Sequence, residues 1–281
     1  MNKMSLVSVV IATCNRAELL QKSIASVFDQ THKNIELIII DDASTDNTLE
    51  VISEIFKKDN RIVILTNKNN MGFSQSLNRG IMLAKGSYIT RLDDDDLWAD
   101  PDKIKKQIDF LEIHPDYVLV GGGTIWHDQS GKEIRRYLLP EDDQEIREKI
   151  LVDNCFVHSS VMFRKKDWEK VGGYKEFGMA CDWVFWLELG KMGKYYNFQE
   201  YFVHYLKWSG NMSNFNVRKN LKMQMNFQKK YSAFYPGYAK ALILSLILYV
   251  YSFFLFKKEL KSFLLNIRIL FFGKPPYTNG K

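Results

Sequence analysis

Short, almost unbroken apolar runs alternate with longer stretches of helical spacing through the N-terminal part of the chain. The strand candidates are residues 6–12, 35–40, 61–65, 87–92 and 117–120, and the helix candidates between them are residues 17–30, 48–58, 73–85 and 101–114. Runs without polar alternation are typical of strands covered on both faces, as in a parallel sheet. The β-α-β-α-β-α-β-α-β order therefore predicts a doubly wound α/β domain, with ligands at the carboxyl ends of the strands.

The alternation loosens after about residue 123, at the end of the run Gly121-Gly122-Gly123 and before a polar loop at residues 127–132. We predict further strands at residues 156–164 and 195–206 and a helix at residues 182–192. No internal repeat or low-complexity linker interrupts the chain, so we expect one body over residues 1–235, with a first half at 1–123 and a second at 124–235.

Charge is distributed unevenly between this body and the C-terminal region. Residues 203–281 contain 13 Lys and Arg against one acid, Glu259, a net charge of +12, whereas the rest of the chain carries −6. Such a basic and apolar region favours an anionic membrane surface over nucleic acid.

Two apolar stretches lie within this region. Residues 241–256 contain no charge, and residues 260–272 are interrupted only by Lys261 and Arg268. We predict membrane-associating helices at residues 236–281 that either lie in the interface or insert shallowly; the alternative is a helical pair packed on the body. We expect a cytoplasmic protein, because three scattered cysteines indicate no disulfide framework or thiolate zinc site and no signal peptide is recognisable.

Four adjacent carboxylates, Asp93 to Asp96, directly follow the strand candidate at residues 87–92. Their mutual repulsion favours neutralisation by a hard divalent cation, Mg²⁺ or Mn²⁺, with phosphate oxygens completing its coordination. The alternative is a solvated acidic turn. A second acidic pair, Asp41-Asp42, and the segment Thr13-Cys14-Asn15-Arg16 end neighbouring strand candidates. No G-x-G-x-x-G and no P-loop motif is present, which argues against a dinucleotide dehydrogenase or a P-loop NTPase.

Six motifs in order resemble those of the family 2 glycosyltransferases, of the bacterial surface-polysaccharide type. They are VSVVIATCNR (7–16), IIIDDASTDNT (38–48), NNMGFSQSLNRGI (69–81), KGSYITRLDDDD (85–96), HSSVMFRK (158–165) and ACDWVFWLEL (180–189). The resemblance implies the GT-A fold, a Rossmann-like nucleotide-binding sheet with an acceptor-side extension. The first half would then hold the donor nucleotide and the second half the acceptor.

The resemblance also assigns roles to individual residues. Donor contacts fall on Thr13, Asn15, Arg16, Asp42, Asn70, Gly72, Asn78, Asp93 and Asp94. The metal ligands fall on Asp93 and Asp95. The catalytic base falls on Asp182, which by itself could be a helix N-cap. His158 would be an acceptor or phosphate contact or a structural residue, and Trp186 is expected in the core. Tyr205-Leu206-Lys207-Trp208 departs from the Tyr-Arg-x-His pattern often found there.

These features predict an inverting, metal-dependent transferase that moves a sugar from a nucleotide-sugar donor, a UDP-sugar, to a hydroxyl of a glycan acceptor. The basic tail favours a lipid-linked acceptor at the inner face of the cell membrane, as in surface polysaccharide or lipopolysaccharide synthesis. One rival is a sugar nucleotidyltransferase, which would need a Gly-rich, basic loop after the first strand. The other is a non-catalytic sugar-nucleotide or glycan-binding membrane subunit, which would not need Asp182 as a base.

Overall fold

The computed structural model describes residues 4–57, 59–208 and 217–253. The strands are β1 (Val7–Thr13), β2 (Ile35–Asp41), β3 (Ile62–Thr66), β4 (Tyr88–Arg91), β5 (Leu97–Trp98), β6 (Tyr117–His127), β7 (Glu133–Tyr137), β8 (Met162–Arg164) and β9 (Lys194–Leu206). The helices are α1 (Ala17–Phe28), α2 (Thr48–Phe56), α3 (Phe73–Leu83), α4 (Lys103–Ile113), α5 (Asp143–Lys149), α6 (Lys165–Val171), α7 (Cys181–Leu189), α8 (Val217–Tyr231) and α9 (Tyr238–Tyr251).

Four parallel strands form one half of the sheet, in the order β3-β2-β1-β4. Every residue of β1 and β2 is buried, because helices cover both faces. Val10 of β1 packs with Leu77 of α3 on one face, whereas Val9 packs with α1 residues such as Leu20 on the other. The predicted strands and helices of this half, and their doubly wound arrangement, are confirmed.

The other half of the sheet is mixed. The short strand β8 lies between β4 and β6 and runs antiparallel to both. The prediction of a strand over residues 156–164 is wrong for most of its length, because His158–Ser160 form a 3-10 helix before β8 begins. That turn carries the Ser159 hydroxyl to the acidic cluster, where it donates to Asp96 Oδ2 at 2.5 Å.

The glycine run lies within a long strand. β6 continues through Gly121-Gly122-Gly123 to His127 and pairs in parallel with β9. A Cβ at Gly122 would lie 2.4 Å from the Phe202 ring, and one at Gly121 would lie 2.5 Å from Asn197 Oδ1. The glycines therefore allow β9 to pack closely. β9 carries Tyr205 to the carboxyl-end edge of the sheet, and Trp208 follows just after the strand.

α8 and α9 form an antiparallel pair that packs on the second half of the body. Ala241 and Leu244 of α9 are buried in the same core as Phe227 of α8, and Ser245 Oγ donates to Gln228 Oε1 at 3.1 Å. None of the helices in the described part of the chain is both long and apolar enough to span a bilayer. The second predicted apolar stretch, residues 260–272, lies outside the described residues.

Candidate active site

A cavity of about 510 Å³ opens at the carboxyl ends of β1, β2 and β4. Of the residues predicted for the site, it is lined by Thr13, Arg16, Asp42, Asn70, Gly72, Asp93, Asp94, Asp95 and Asp182. Cys14, Phe73, His158 and Tyr205 also line it. The fold thus brings residues from both halves of the chain to one cavity, and the predicted donor contacts Asn15 and Asn78 lie outside its wall.

Asn15 joins the turns that follow β1 and β2. It adopts a left-handed conformation with φ 56°, and its Oδ1 accepts hydrogen bonds from Thr45 N at 2.7 Å and Asp46 N at 3.2 Å. The geometry gives Asn15 a positioning role, since its amide oxygen fixes the turn from which the Arg16 side chain enters the cavity.

Asp42 organises the loop that forms the neighbouring wall. Its carboxylate accepts hydrogen bonds from Asn67 Nδ2 at 2.7 Å, Met71 N at 2.8 Å and Gly72 N at 2.9 Å. Gly72 has φ 84°, a conformation that favours glycine, and α3 begins after it. Asp42 therefore holds the loop at Asn70 and Gly72 in place while also facing the cavity.

Asn78 anchors the loop that precedes α7. Its Nδ2 donates to Tyr174 O at 2.7 Å, and its Oδ1 accepts from Tyr174 N at 2.8 Å. Both ends of the amide are thus engaged with one backbone segment, so the geometry supports an indirect role through the position of α7.

Asp93 is held by two residues that the sequence analysis missed. Arg91 Nη2 donates to Asp93 Oδ1 at 2.6 Å, and the Ser159 hydroxyl lies 3.1 Å from Asp93 Oδ2. Burial opposes ionisation of Asp93, but the Arg91 guanidinium outweighs it and lowers the pKa to about 2. An arginine within a buried strand, directly before an acidic cluster, was the signal in the sequence.

Asp94 and Asp95 share one cation. Arg16 Nη1 lies 3.0 Å from Asp94 Oδ1 and 2.7 Å from Asp95 Oδ2, and the Trp208 indole donates to Asp95 Oδ2 at 2.9 Å. Burial raises the pKa of Asp94 to about 6 although Arg16 opposes it. Asp96 is buried behind the cavity wall, where burial and Asp93 raise its pKa well above the usual range.

The acidic side chains of the cavity wall meet the requirements of a hard divalent cation only in part. Among residues 4–57, 59–208 and 217–253, no group of three Asp, Glu, His or Cys side chains could hold a metal ion. The cavity wall nevertheless carries several carboxylates, and carboxylate oxygens are the ligands that Mg²⁺ and Mn²⁺ prefer. A cation held by carboxylates such as Asp93 and Asp95 would therefore need the phosphate oxygens of a ligand to complete its coordination.

Asp182 lies in the first turn of α7. Its Oδ1 accepts from Trp183 N at 2.7 Å, and its Oδ2 accepts from Asn154 Nδ2 at 2.8 Å. Burial raises the pKa of Asp182 to about 6, although both hydrogen bonds oppose the shift. The carboxylate is thus oriented, ionised at neutral pH and more basic than an ordinary aspartate. Asn154 is a further residue that the sequence analysis missed, because it lies outside the six motifs.

His158 also faces the cavity, and its Nε2 lies 2.9 Å from the Tyr174 hydroxyl. Burial and the nearby Arg91 lower its pKa well below the usual range, so the imidazole is neutral. Trp186 is fully buried, in agreement with the expectation that it belongs to the core.

The family model described as "Glycosyl transferase family 2" matches residues 8–172. An uncharacterised glycosyltransferase of Haemophilus influenzae is 33% identical over 217 residues, which cover 73% of this chain and 66% of that protein. A putative glycosyltransferase, EpsE of Bacillus subtilis, is 35% identical over 205 residues, which cover 71% of this chain and 72% of that protein. Over 130 residues the chain is 39% identical to WfaP of Escherichia coli, a UDP-Glc:alpha-D-GlcNAc-diphosphoundecaprenol beta-1,3-glucosyltransferase, with 42% of this chain and 51% of that protein covered.

The fold also matches solved structures. S. aureus TarS 1-349 in complex with UDP-GlcNAc superposes with a TM-score of 0.67 at 16% identity, covering 98% of this chain and 74% of that one. The mannosyltransferase PcManGT from Pyrobaculum calidifontis, in complex with GDP-Man and Mn²⁺, gives a TM-score of 0.64 at 15% identity, covering 96% and 76%. These neighbours confirm the predicted GT-A fold. Because the family model matches more than half of the residues of this chain, the chain belongs to glycosyl transferase family 2.

Proposed function

We propose that the protein is an inverting, metal-dependent glycosyltransferase that moves a sugar from a UDP-sugar to a hydroxyl of a lipid-linked glycan. One observation carries the proposal: Asp182 and the Asp93 to Asp95 cluster face the same cavity of about 510 Å³. Family membership supports sugar transfer, and this arrangement provides separate carboxylates for binding the donor and for activating the acceptor.

The donor would lie along the walls formed by Thr13, Arg16, Asp42, Asn70 and Gly72. A divalent cation held by Asp93 and Asp95 would stabilise the charge that develops on the leaving diphosphate. Arg16, whose guanidinium is paired with both Asp94 and Asp95, is placed to assist. By analogy, the UDP-GlcNAc complex of TarS supports a UDP-sugar donor, and the Mn²⁺ complex of the mannosyltransferase supports a divalent cation.

Asp182 would act as the general base. It removes the proton from the acceptor hydroxyl, whose oxygen attacks the anomeric carbon from the side opposite to the leaving diphosphate, so that the configuration inverts. Asn154 and the backbone of Trp183 hold the carboxylate, and its pKa of about 6 leaves it ionised at neutral pH.

The acceptor would be presented at the cytoplasmic face of the cell membrane, during bacterial surface polysaccharide or lipopolysaccharide assembly. The diphosphoundecaprenol acceptor in the name of WfaP supports this assignment. In this proposal residues 1–123 hold the donor nucleotide, residues 124–235 hold the acceptor, and residues 236–281 associate with the membrane.

Calorimetry and donor hydrolysis test the proposal together. Wild type, Asp95→Asn, Asp182→Asn and the exposed control Asp109→Asn are titrated with UDP, GDP and their sugars, with and without Mn²⁺. We expect UDP ligands to bind with metal, Asp95→Asn to lose about tenfold or more in affinity, and Asp182→Asn to bind normally while hydrolysis falls about 10²–10⁴-fold. Binding that ignores both metal and Asp95 would contradict the donor site. Binding without any hydrolysis in wild type would favour a non-catalytic subunit.

A further inference from the structure

Helix α9 is apolar on two opposite faces. Ala241, Leu244 and Ser245 are buried against the body, whereas the opposite side exposes Ile243 (53%), Leu246 (45%) and Val250 (53%), followed by Phe253 (55%). Spacings of three and four residues align these four side chains along one side of the helix. We call them the α9 stripe. Contiguous exposed apolar surface of this kind marks a binding surface.

Basic side chains border the α9 stripe. Arg218 Nη2 donates to Ser252 O at 2.9 Å, and its guanidinium lies 4.3 Å from the centre of the Phe253 ring. Lys222 Nζ lies 5.6 Å from the centre of the Tyr249 ring. Residues 217–253 contain six basic residues in all and no Asp or Glu: Arg218, Lys219, Lys222, Lys229, Lys230 and Lys240. Lys230 is paired with Glu188 of α7 at 3.5 Å. Arg218 and Lys222 lie beside Phe253 and Tyr249, so this end of the surface is both apolar and positively charged.

An anionic lipid bilayer matches both properties. The apolar side chains would enter the boundary between headgroups and acyl chains, and the Lys and Arg side chains would reach the lipid phosphates. A second copy of the chain fits less well, because two copies of a region with an excess of Lys and Arg and no Asp or Glu repel each other.

The same helices brace the acceptor side of the cavity. A Cβ at Gly178, which lines the cavity, would lie 3.6 Å from Met223 Cε of α8. Phe227 of α8 packs edge-on against Trp183, the residue after Asp182, with ring centres 5.0 Å apart. Gln224 and Gln228 donate to the backbone oxygens of Val152 and Leu151. Contact with a membrane through α9 would therefore fix the segment that carries Asp182 relative to the lipid surface.

We infer that the α9 stripe and the cations of α8 dock on an anionic lipid surface and hold the acceptor side of the cavity at the membrane. The inference deepens the membrane association in the proposed function. The link to a lipid-borne acceptor rests on the proposed enzymatic activity, whereas lipid binding does not depend on that activity.

Vesicle co-sedimentation of the full chain tests the α9 stripe. The probes are vesicles of phosphatidylcholine alone and of phosphatidylcholine with phosphatidylglycerol. We expect wild type to bind the anionic vesicles and the double variant Leu246→Ser/Val250→Ser to lose about tenfold or more in affinity. The matched control, Met82→Ser/Ile113→Ser, removes two exposed apolar side chains elsewhere and should bind like wild type.

Charge variants test the second part of the surface. Arg218→Gln/Lys222→Gln should weaken binding by roughly fivefold for each charge removed. Arg218→Lys should retain most binding, and the exposed control Lys68→Gln/Lys132→Gln should retain all of it. Unchanged binding in the α9 double variant, or equal binding of wild type to neutral vesicles, would overturn the inference. So would light scattering that shows a dimer dissolved by the α9 variant while vesicle binding persists.

Hydrolysis of UDP-sugar, measured on the same variants, separates the two proposals. The α9 and α8 variants should hydrolyse the donor at the wild-type rate, which also shows that they fold. Vesicle binding without any hydrolysis would leave the lipid surface intact and contradict the enzymatic assignment. Hydrolysis without vesicle binding would overturn the lipid surface alone.

Discussion

The Asp182 carboxylate is both ionised at neutral pH and more basic than an ordinary aspartate. Burial raises its pKa to about 6, and donors from Asn154 and Trp183 keep that shift from going further. A base works best when its pKa lies near the operating pH, because it is then both ionised and able to accept a proton.

We expect the pH dependence of donor hydrolysis to report this group. As the proposed base, Asp182 would act only when ionised, so kcat/KM should fall about tenfold per pH unit as the pH drops below about 6. Asn154→Ala removes a donor to the ionised form, raises the pKa, and should move this acid limb to higher pH. The profile is measured between about pH 5 and pH 8, with the exposed Asn60→Ala as control. An acid limb that does not move in Asn154→Ala would contradict the role of Asn154.

Sequence patterns identify which residues surround a site better than they identify what each residue does there. Asp42 and Asp93 to Asp95 could be placed at strand ends because parallel strands bring their carboxyl ends to one edge. The engagement of Asn78 with Tyr174 could not be predicted, since the two residues are far apart in the chain and meet only in the folded protein. The same holds for Trp208 and Asp95.

At the scale of elements, the hydrophobic pattern located most strands and helices but did not predict which strands pair with each other in the sheet. The runs at β1 and β2 predict buried strands without any tertiary information, because both faces are apolar. β8 has only three residues, too few for a pattern, and its place between β4 and β6 depends on distant partners. The sequence alone did not show that the glycines of β6 lie within a strand. The Phe202 ring that requires Gly122 lies on another strand, so this need appears only in the folded protein.

Helix α9 offers a matched pair of leucines, one on each face. Leu244→Ala removes a buried side chain and should lower the free energy of unfolding by about 2–3 kcal/mol. Leu246→Ala, on the exposed face, should change it by less than about 0.5 kcal/mol. Urea unfolding of both variants, monitored by tryptophan fluorescence, measures the difference. Equal losses in the two variants would contradict the packing of α9 on the body.

Over the whole chain, opposite charges are concentrated in different segments. Residues 203–281 carry +12 and the remainder −6. The cavity wall is acidic, because its carboxylates outnumber the Arg16 guanidinium. In our proposal the basic segment binds an anionic surface and the carboxylates of the cavity bind a cation.

Ionic strength should therefore affect these two interactions differently. Raising the salt concentration well above physiological levels should release the protein from anionic vesicles, because exposed charges are screened over about 8 Å at 0.15 M and less at higher salt. Hydrolysis of the donor at saturating Mn²⁺ should change little over the same range, since buried pairs are screened less. Sedimentation and hydrolysis are measured on the same samples. Loss of both together would indicate unfolding or a shared site.

The position of β8 has a consequence for the order of synthesis. β8 fills the gap between β4 and β6 but follows both in the chain. As the polypeptide leaves the ribosome, the four parallel strands can assemble early, yet one edge of β4 waits without a partner until residues 162–164 arrive. An unpaired strand edge is prone to pair with other chains. We therefore expect chaperones that bind exposed strand edges to bind a nascent chain that is stalled before Met162.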